Sequence, residues 1–279
     1  MTQTNKDTKK LKELEKLYFE KIESYASCRV PLTQEQQEQV TKQLNLHQKS
    51  KEGLRKIILN TATGAALNLF IGREVFRSDK MSSAIELARF LYRNNSLYRG
   101  GNWLDMGCGA GTQGLVMALN GARRVDFSDS SSFAEENARY NINRLNLKNK
   151  SEFFLSDCFD RLPMERKYDG VVFNYPFFPE IPKNFGEGIC TRALRGSMLG
   201  GTNIAPLFFK QARMLQPQAK IIVPYWIFAG KENEPLHYAL QNRYCLIHLE
   251  KIMPLEGIQS KKGDISIYIF EQKKAGARA

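Results

Sequence analysis

A glycine cluster that follows an aspartate is the part of this sequence best suited to hold a small ligand. Residues 104–114 read Leu-Asp-Met-Gly-Cys-Gly-Ala-Gly-Thr-Gln-Gly, after an apolar run and before a helical pattern. Glycines at such a turn let the chain reverse tightly and let a ligand approach the backbone. The window 109–114 satisfies G-x-G-x-x-G, so a dinucleotide site is one alternative. Asp105 disfavours that alternative, because its carboxylate would repel a pyrophosphate, whereas it would attract a cationic ligand.

Polar side chains also follow three later apolar runs. Asp129 ends the run 124–129, Asp157 follows the run that starts at residue 151, and Asn174 follows the run 169–173. In an open parallel sheet the carboxyl ends of the strands meet at one edge, where ligands bind. A carboxylate at the tip of the second strand can accept both hydroxyls of a ribose. Asp126 is the rival for that role, but strand alternation directs it to the other side of the sheet.

The elements that must position these residues follow an α/β pattern. After Gly100, apolar runs alternate with amphipathic stretches, which indicates a parallel sheet covered by helices on both faces. The runs cover 102–106, 124–129, 151–157, 168–173 and 219–228. The last two runs, 245–253 and 264–272, are separated only by a loop, so we expect them to pair antiparallel and close the sheet.

We expect a different organisation in the N-terminal part of the chain. Residues 1–78 are rich in lysine and glutamate and are predicted to form a helical, basic region that selects the substrate or packs on a core spanning 79–279. Thr33-Gln-Glu-Gln36 matches a capping box and predicts a helix start. The composition of 61–72 indicates a hinge or a hairpin. The basic residues either contact nucleic acid or form a solvated helix face.

Composition limits the classes of partner. The 279 residues carry 41 Lys and Arg against 29 Asp and Glu, a net charge of +12 that favours a polyanionic partner such as RNA. The five scattered cysteines and three distant histidines predict neither disulfides, nor a metal site, nor a hydrolase. The sequence has no apolar leader and no run long enough to span a bilayer, which predicts a cytoplasmic protein without a membrane partner. Oligomeric state is not predicted.

The pattern D-x-G-x-G-x-G after a strand resembles the first motif of the class I S-adenosylmethionine-dependent methyltransferases. The resemblance implies a Rossmann-like, mostly parallel seven-stranded sheet with a C-terminal antiparallel strand. It also implies S-adenosylmethionine as cofactor and S-adenosylhomocysteine as product, held by Asp105, Gly107, Cys108, Gly109, Gly111, Asp129, Ser130, Asp157, Cys158 and Asn174. In the family the acid of the glycine motif orients the loop and the methionine ammonium, and Asp157 is similar to the acid near the adenine. Ala138-Arg-Tyr-Asn141 resembles the family's A-x-x-N helix.

The segment Asn174-Tyr175-Pro176-Phe177 resembles the N-P-P-Y/F motif of the branches that methylate planar nitrogens. The resemblance implies that the Asn174 side-chain oxygen and the Tyr175 backbone carbonyl bind the two N–H bonds of an amino or amide nitrogen. Pro176 would stiffen the turn, and Phe177 would offer a ring on which the acceptor stacks. Tyr175 replaces the first proline of the motif. The residue before a proline is held extended anyway, so the carbonyl can keep its place.

The expected function is methyl transfer to a planar amide or amino nitrogen. A protein glutamine is one candidate acceptor, because release-factor methyltransferases share a helical N-terminal domain and an N-P-P-Y motif. An RNA base is favoured by the positive charge. A small-molecule N- or O-methyltransferase and a non-catalytic cofactor-binding or interaction protein with the same fold are the alternatives. Residues 186–201, with five glycines in the wider stretch 179–201, are expected to form either a substrate loop or a plain surface connection.

Overall fold

The computed structural model describes residues 32–178, 196–199, 204–212, 215–255 and 257–272. Its centre is a seven-stranded sheet in the order β5-β4-β3-β6-β7-β9-β8. Neighbouring strands are parallel except where β9 pairs with β7 and with β8. The strands are β3 (Asn102–Met106), β4 (Arg124–Asp129), β5 (Phe153–Leu155), β6 (Gly170–Phe173), β7 (Lys220–Trp226), β8 (Tyr244–Ile252) and β9 (Ile265–Gln272). This confirms the predicted fold class, including the antiparallel C-terminal strand.

Helices cover the sheet on both sides. They are α1 (Gln34–Lys49), α2 (Ser82–Arg93), α3 (Thr112–Leu119), α4 (Ser132–Arg144), α5 (Ile204–Gln211) and α6 (Pro235–Gln241). Successive residues of a central strand enter different cores: Trp103 packs with α2 and α3, whereas Leu104 packs with α1, α5 and α6. This is the alternation that a sheet buried on both faces requires. Among the described helices, none is long and apolar enough to cross a membrane.

A β-hairpin precedes the sheet, so the prediction that the region 1–78 is helical is wrong for residues 53–60. Strand β1 (Gly53–Asn60) pairs antiparallel with β2 (Ala65–Ile71). Burial alternates along both strands, and Ile57, Leu59, Leu67, Leu69 and Ile71 join the core beside α2, α3 and α4. This period of two outweighs the basic composition that suggested a helix. The prediction of a hinge or hairpin near 61–72 is confirmed as a hairpin.

Helix α1 begins at the predicted capping box. The Thr33 side chain accepts a hydrogen bond from the Gln36 N–H (3.2 Å), and the Gln36 side chain accepts one from the Thr33 N–H (2.9 Å). Val40 and Leu44 are fully buried in the core. Residues 1–31 of the region predicted to be helical lie outside the described residues, and the boundary between residues 78 and 79 stays a prediction.

The free edge of β2 is covered by side chains of α4. The Asn141 amide accepts a hydrogen bond from the Phe70 N–H (2.7 Å) and donates one to the Phe70 carbonyl (2.8 Å). The same amide donates to the carbonyl of Ala110 in the glycine cluster (3.0 Å). One buried side chain therefore fixes the hairpin against the turn that follows β3.

Candidate active site

A cleft of about 640 Å³ opens at the carboxyl ends of β3, β4, β5 and β6. This volume is within the usual range of small-molecule sites, about 300–1,000 Å³. Nine of the residues predicted to bind cofactor or acceptor line it: Gly107, Cys108, Gly109, Asp129, Ser130, Asp157, Cys158, Asn174 and Pro176. The structure therefore brings together residues that are up to 69 positions apart in the chain. Asp105 and Gly111 do not line the cleft, whereas Tyr175 and Phe177 line a small adjoining cavity that shares Asn174 with it.

The glycine loop forms the floor of the cleft. Gly107 and Gly109 have φ angles of +57° and +53°, a left-handed conformation that side chains disfavour. A Cβ on Gly107 would lie 2.6 Å from Cε2 of Phe173, so any other residue there would displace β6 or the loop. The loop thus leaves its backbone open to a ligand at the point where α3 begins.

Asp105 stabilises this loop from within the protein core. Its carboxylate is buried and accepts a hydrogen bond of 2.7 Å from the N–H of Gly114 in the first turn of α3. Burial raises the pKa of Asp105 to about 8. Because the side chain does not line the cleft, its structural role is to shape the loop rather than to touch a ligand directly.

Asp129 stands at the tip of β4 and does line the cleft. Its carboxylate accepts hydrogen bonds from the N–H groups of Gly109 (2.9 Å) and Ser131 (3.0 Å). Burial raises the pKa of Asp129, and these hydrogen bonds oppose the rise. Asp126 lies away from the cleft, fully buried, and is bound by Arg124 (2.8 Å) and by the Tyr168 hydroxyl (3.1 Å).

The end of β5 supplies Asp157 and Cys158. Asp157 is exposed at the cleft, whereas Cys158 is buried and has a φ angle of +44°. Burial raises the pKa of the Cys158 thiol to about 12 and also raises the pKa of Cys108. Both thiols are therefore protonated near neutral pH and unsuited to act as nucleophiles. Within the described part of the chain, no cluster of His, Cys, Asp or Glu is arranged to hold a metal ion.

The four residues of the turn after β6 have two different environments. Asn174 and Pro176 are partly buried and line the cleft, whereas the rings of Tyr175 and Phe177 are buried in an aromatic cluster with Tyr225. The ring of Phe177 is only 6% exposed and packs edge-on against Tyr175 and Tyr225. The predicted stacking of an acceptor on Phe177 therefore does not fit this structure, because an apolar ring gains more by joining the core than by facing the cleft.

Sequence reasoning missed one wall of the cleft and part of a second. The first wall is the loop after β2, which contributes Glu74, Val75, Phe76 and Ser78. In this loop Arg77 pairs with Asp79 through two hydrogen bonds of 2.7 Å, and its N–H donates to Nε2 of His47 at 2.9 Å. Burial lowers the pKa of His47 to about 4, so the ring is neutral and can accept this bond. The loop lies at the cleft edge because β2 ends there; the sequence predicted a hinge or hairpin at 61–72 but did not relate its end to the site.

The second wall comes from Phe133 at the start of α4 and from the segment after Phe178. Phe178 forms an isolated parallel β-bridge with Leu199. Gly196, Ser197 and Leu199 line the cleft. Of the stretch expected to form a substrate loop or a surface connection, residues 196–199 reach the cleft, and residues 179–195 and 200–203 lie outside the described residues. The sequence signal for residues 196–199 was the position of their segment directly after the acceptor turn. No sequence signal marked Phe133 as a residue of the cleft.

Comparison with known proteins relates the part of the chain that contains most of the site to a protein family. Residues 68–195 match the family model of the methyltransferase small domain. A curated relative, the ribosomal RNA large subunit methyltransferase G of Alcanivorax borkumensis, is 39% identical over 83 residues, which are 29% of this chain. The chain matches 21% of the length of that relative.

Two solved structures share the fold. The 16S rRNA N2 G1207 methyltransferase of T. thermophilus, in complex with AdoMet and guanosine, has a TM-score of 0.54 at 19% identity, over 80% of this chain and 50% of that one. The tRNA (uracil-54, C5)-methyltransferase of Pyrococcus abyssi, in complex with S-adenosyl-L-homocysteine, has a TM-score of 0.51 at 17% identity, over 79% and 44%. These values show a common fold for the sheet and its helices.

Proposed function

The chain belongs to the class I S-adenosylmethionine-dependent methyltransferases, and from this premise we propose that it methylates an amino nitrogen of an RNA base. The observation that carries the proposal is the meeting of Asn174 and Pro176 with the glycine loop and Asp129 in one cleft. A cofactor site and an acceptor site that share a cleft can bring a methyl group and a nucleophile into line.

The residues of the cleft fit S-adenosylmethionine. The backbone of Gly107 and Gly109 is free of Cβ atoms and would lie against the amino-acid part. The Asp129 carboxylate would accept the ribose hydroxyls with the lone pairs that Gly109 and Ser131 leave free. Asp157 and Cys158 would face the adenine. When bound, the cofactor supplies a methyl group on a positively charged sulfur.

Asn174 and Tyr175 would orient the acceptor. The lone pair of a base amino nitrogen is delocalised into the ring, so this nitrogen is a poor nucleophile. The Asn174 side-chain oxygen and the Tyr175 backbone carbonyl would each accept a hydrogen bond from one N–H group of this nitrogen. Together they would direct its lone pair toward the methyl group. After transfer, the excess proton of the nitrogen leaves to water. Preorganised acceptors of this kind lower the barrier without reorganising during the reaction.

Three findings favour RNA over a protein amide or a small molecule. The curated relative is named as a ribosomal RNA methyltransferase, and the T. thermophilus 16S rRNA methyltransferase was solved in complex with AdoMet and guanosine. The net charge of +12 would draw a polyanion to the protein. A glutamine side chain would satisfy the same two acceptors, and the experiment below separates the two substrates.

The proposal is tested by incubating the protein with methyl-labelled S-adenosylmethionine and a cell lysate, then treating the labelled material with ribonuclease or protease. We expect the label in macromolecules and expect ribonuclease to release it. Label released only by protease would contradict the RNA proposal and support a protein amide. Label in neither fraction would contradict transfer to a macromolecule. Asn174→Ala protein serves as the control for labelling by other enzymes of the lysate.

A further inference from the structure

Two exposed aromatic side chains lie on one side of α4. The rings of Phe133 and Tyr140 are 45% and 51% exposed, and they are the only aromatic members of the exposed large apolar side chains in the described part of the chain. Seven residues separate them, so they lie two helical turns apart on the same side, at a rise of about 10.5 Å. Single exposed rings are ordinary on protein surfaces, whereas rings that belong to one contiguous apolar surface mark an interaction site.

The hairpin extends this surface. On β1 the side chains of Leu54 and Lys56 are exposed, and Leu54 is opposite Phe70 on β2. The Phe70 ring centroid lies 5.0 Å from that of Tyr140, with the planes at 57°. We call the surface formed by Leu54, Lys56, Phe70, Phe133, Tyr140 and Arg144 the hairpin–α4 face.

The hairpin–α4 face also carries two cations, Lys56 and Arg144. Lys56 is exposed on the outer side of the hairpin, opposite Asn68, and Arg144 donates a hydrogen bond to the Asn68 carbonyl from the last turn of α4. Arg139 is exposed but paired with Glu135 at 2.9 Å. Glu136 is exposed on the same side of the helix as the rings, between Phe133 and Tyr140, and is the acid that the cations of this face must outweigh. Rings flanked by lysine and arginine are the combination that single-stranded nucleic acids bind by stacking and charge.

The hairpin–α4 face is continuous with the cleft. Phe133 belongs to both, and Tyr140 lies two turns farther along α4. The rise between the two rings, about 10.5 Å, equals about three nucleotides at the 3.4 Å spacing of stacked bases. A strand that lies along the face would therefore lead into the cleft that Phe133 and Asn174 both line.

From this arrangement we propose that the hairpin–α4 face binds a single-stranded segment of the RNA substrate next to the methylated base, with bases stacked on Tyr140 and Phe133. The proposal rests on the proposed function, because it assumes an RNA acceptor. It adds the place at which the RNA is held and the unpaired form in which it binds.

The test measures binding of a labelled, unstructured single-stranded RNA to the wild type and to Tyr140→Ala, Tyr140→Phe and Leu119→Ala. Leu119 is 48% exposed at the far end of α3, so Leu119→Ala is the matched control for loss of exposed apolar surface. Tyr140→Ala should weaken binding at least about fivefold, the lower end of what one base stack contributes. Tyr140→Phe and Leu119→Ala should bind as the wild type does.

Equal affinity of Tyr140→Ala and wild type, in a protein that methylates RNA, would overturn this proposal and leave the proposed function intact. A loss in Tyr140→Phe as large as in Tyr140→Ala would also overturn it, because stacking survives that change. If the wild type forms a dimer that Tyr140→Ala disperses, the face is an interface between copies of the chain instead. The thermal shift caused by S-adenosylhomocysteine should be equal in all four proteins, which shows that the cofactor site is intact.

Discussion

The hydroxyl of Tyr175 donates a hydrogen bond of 2.7 Å to the backbone carbonyl of Asn233. In return, the fully buried Asn233 amide donates to the carbonyl of Phe177 at 3.3 Å. Asn233, which precedes α6, is therefore hydrogen-bonded to two residues of the turn that follows Asn174, namely Tyr175 and Phe177. The resembled motif has a stiff proline where this chain has Tyr175, and the bond to Asn233 supplies a comparable restraint.

Tyr175→Phe should lower both the stability of the protein and its turnover. The change leaves the buried Asn233 carbonyl without its donor, which costs about 1 kcal/mol of unfolding free energy. We expect a several-fold lower kcat for RNA methylation and an unchanged affinity for S-adenosylhomocysteine, since Tyr175 lies outside the cofactor part of the cleft. Urea unfolding, single-turnover methylation and calorimetry measure the three quantities.

Tyr98→Phe is the matched control for this prediction. The Tyr98 hydroxyl is buried on the other side of the sheet and donates to the Leu91 carbonyl at 2.9 Å. Its removal should cost a similar free energy of unfolding without changing kcat. Equal effects of the two variants on kcat would show that the Tyr175 bond has no special relation to the acceptor turn.

Asp129→Ala should weaken cofactor binding by about 1–3 kcal/mol, because buried hydroxyls of the ribose would lose their acceptor. The Gly109 N–H would also lose its partner, so the loss should appear in cofactor affinity before it appears in kcat. Asp126→Ala is the control, since that carboxylate is buried on the same strand but outside the cleft. The assignment is wrong if cofactor affinity depends on Asp126 and not on Asp129.

Asp105 should make the stability of the protein fall with rising pH. Burial raises the pKa of this carboxyl from 3.8 to about 8, so the folded protein keeps a proton that the unfolded chain releases. The free energy of unfolding should therefore decrease between about pH 4 and about pH 8, by up to about 1.4 kcal/mol per pH unit for this group. In Asp105→Asn protein this contribution is absent.

The measurement is urea unfolding of the wild type and of Asp105→Asn at both ends of that pH range. Burial also raises the pKa of Glu234, to about 7, which gives a contribution of the same sign. Glu234 is present in both proteins, so its effect cancels in the comparison. A decrease of equal size in the two proteins would refute the role assigned to Asp105.

The sequence predicted what depends on local pattern. The alternation of strands and helices, the capping box at Thr33 and the glycine turn each follow from spacing within a few residues, and all three are present in the structure. Strand β1 was not predicted, although a hinge or hairpin at 61–72 was, because the pairing of β1 with β2 lies between two segments rather than within one.

Only the part of the site that lies at the strand ends could be predicted from the sequence. The polar residues that follow β3, β4, β5 and β6 meet because parallel strands share one carboxyl edge. The loop 74–78 and Phe133 enter the same cleft through the packing of the hairpin and α4, which no motif encodes. The burial of Phe177 likewise depends on Tyr225, which is 48 positions away in the sequence.

The most direct test of the central claim is a paired measurement on Asn174→Ala: its affinity for S-adenosylmethionine and its rate of methyl transfer to RNA. If Asn174 orients the acceptor nitrogen within a shared cleft, transfer should be abolished while cofactor affinity stays close to that of the wild type. Normal transfer by this variant would contradict the account, and so would an equal loss of affinity and rate, since either result would remove Asn174 from the acceptor site.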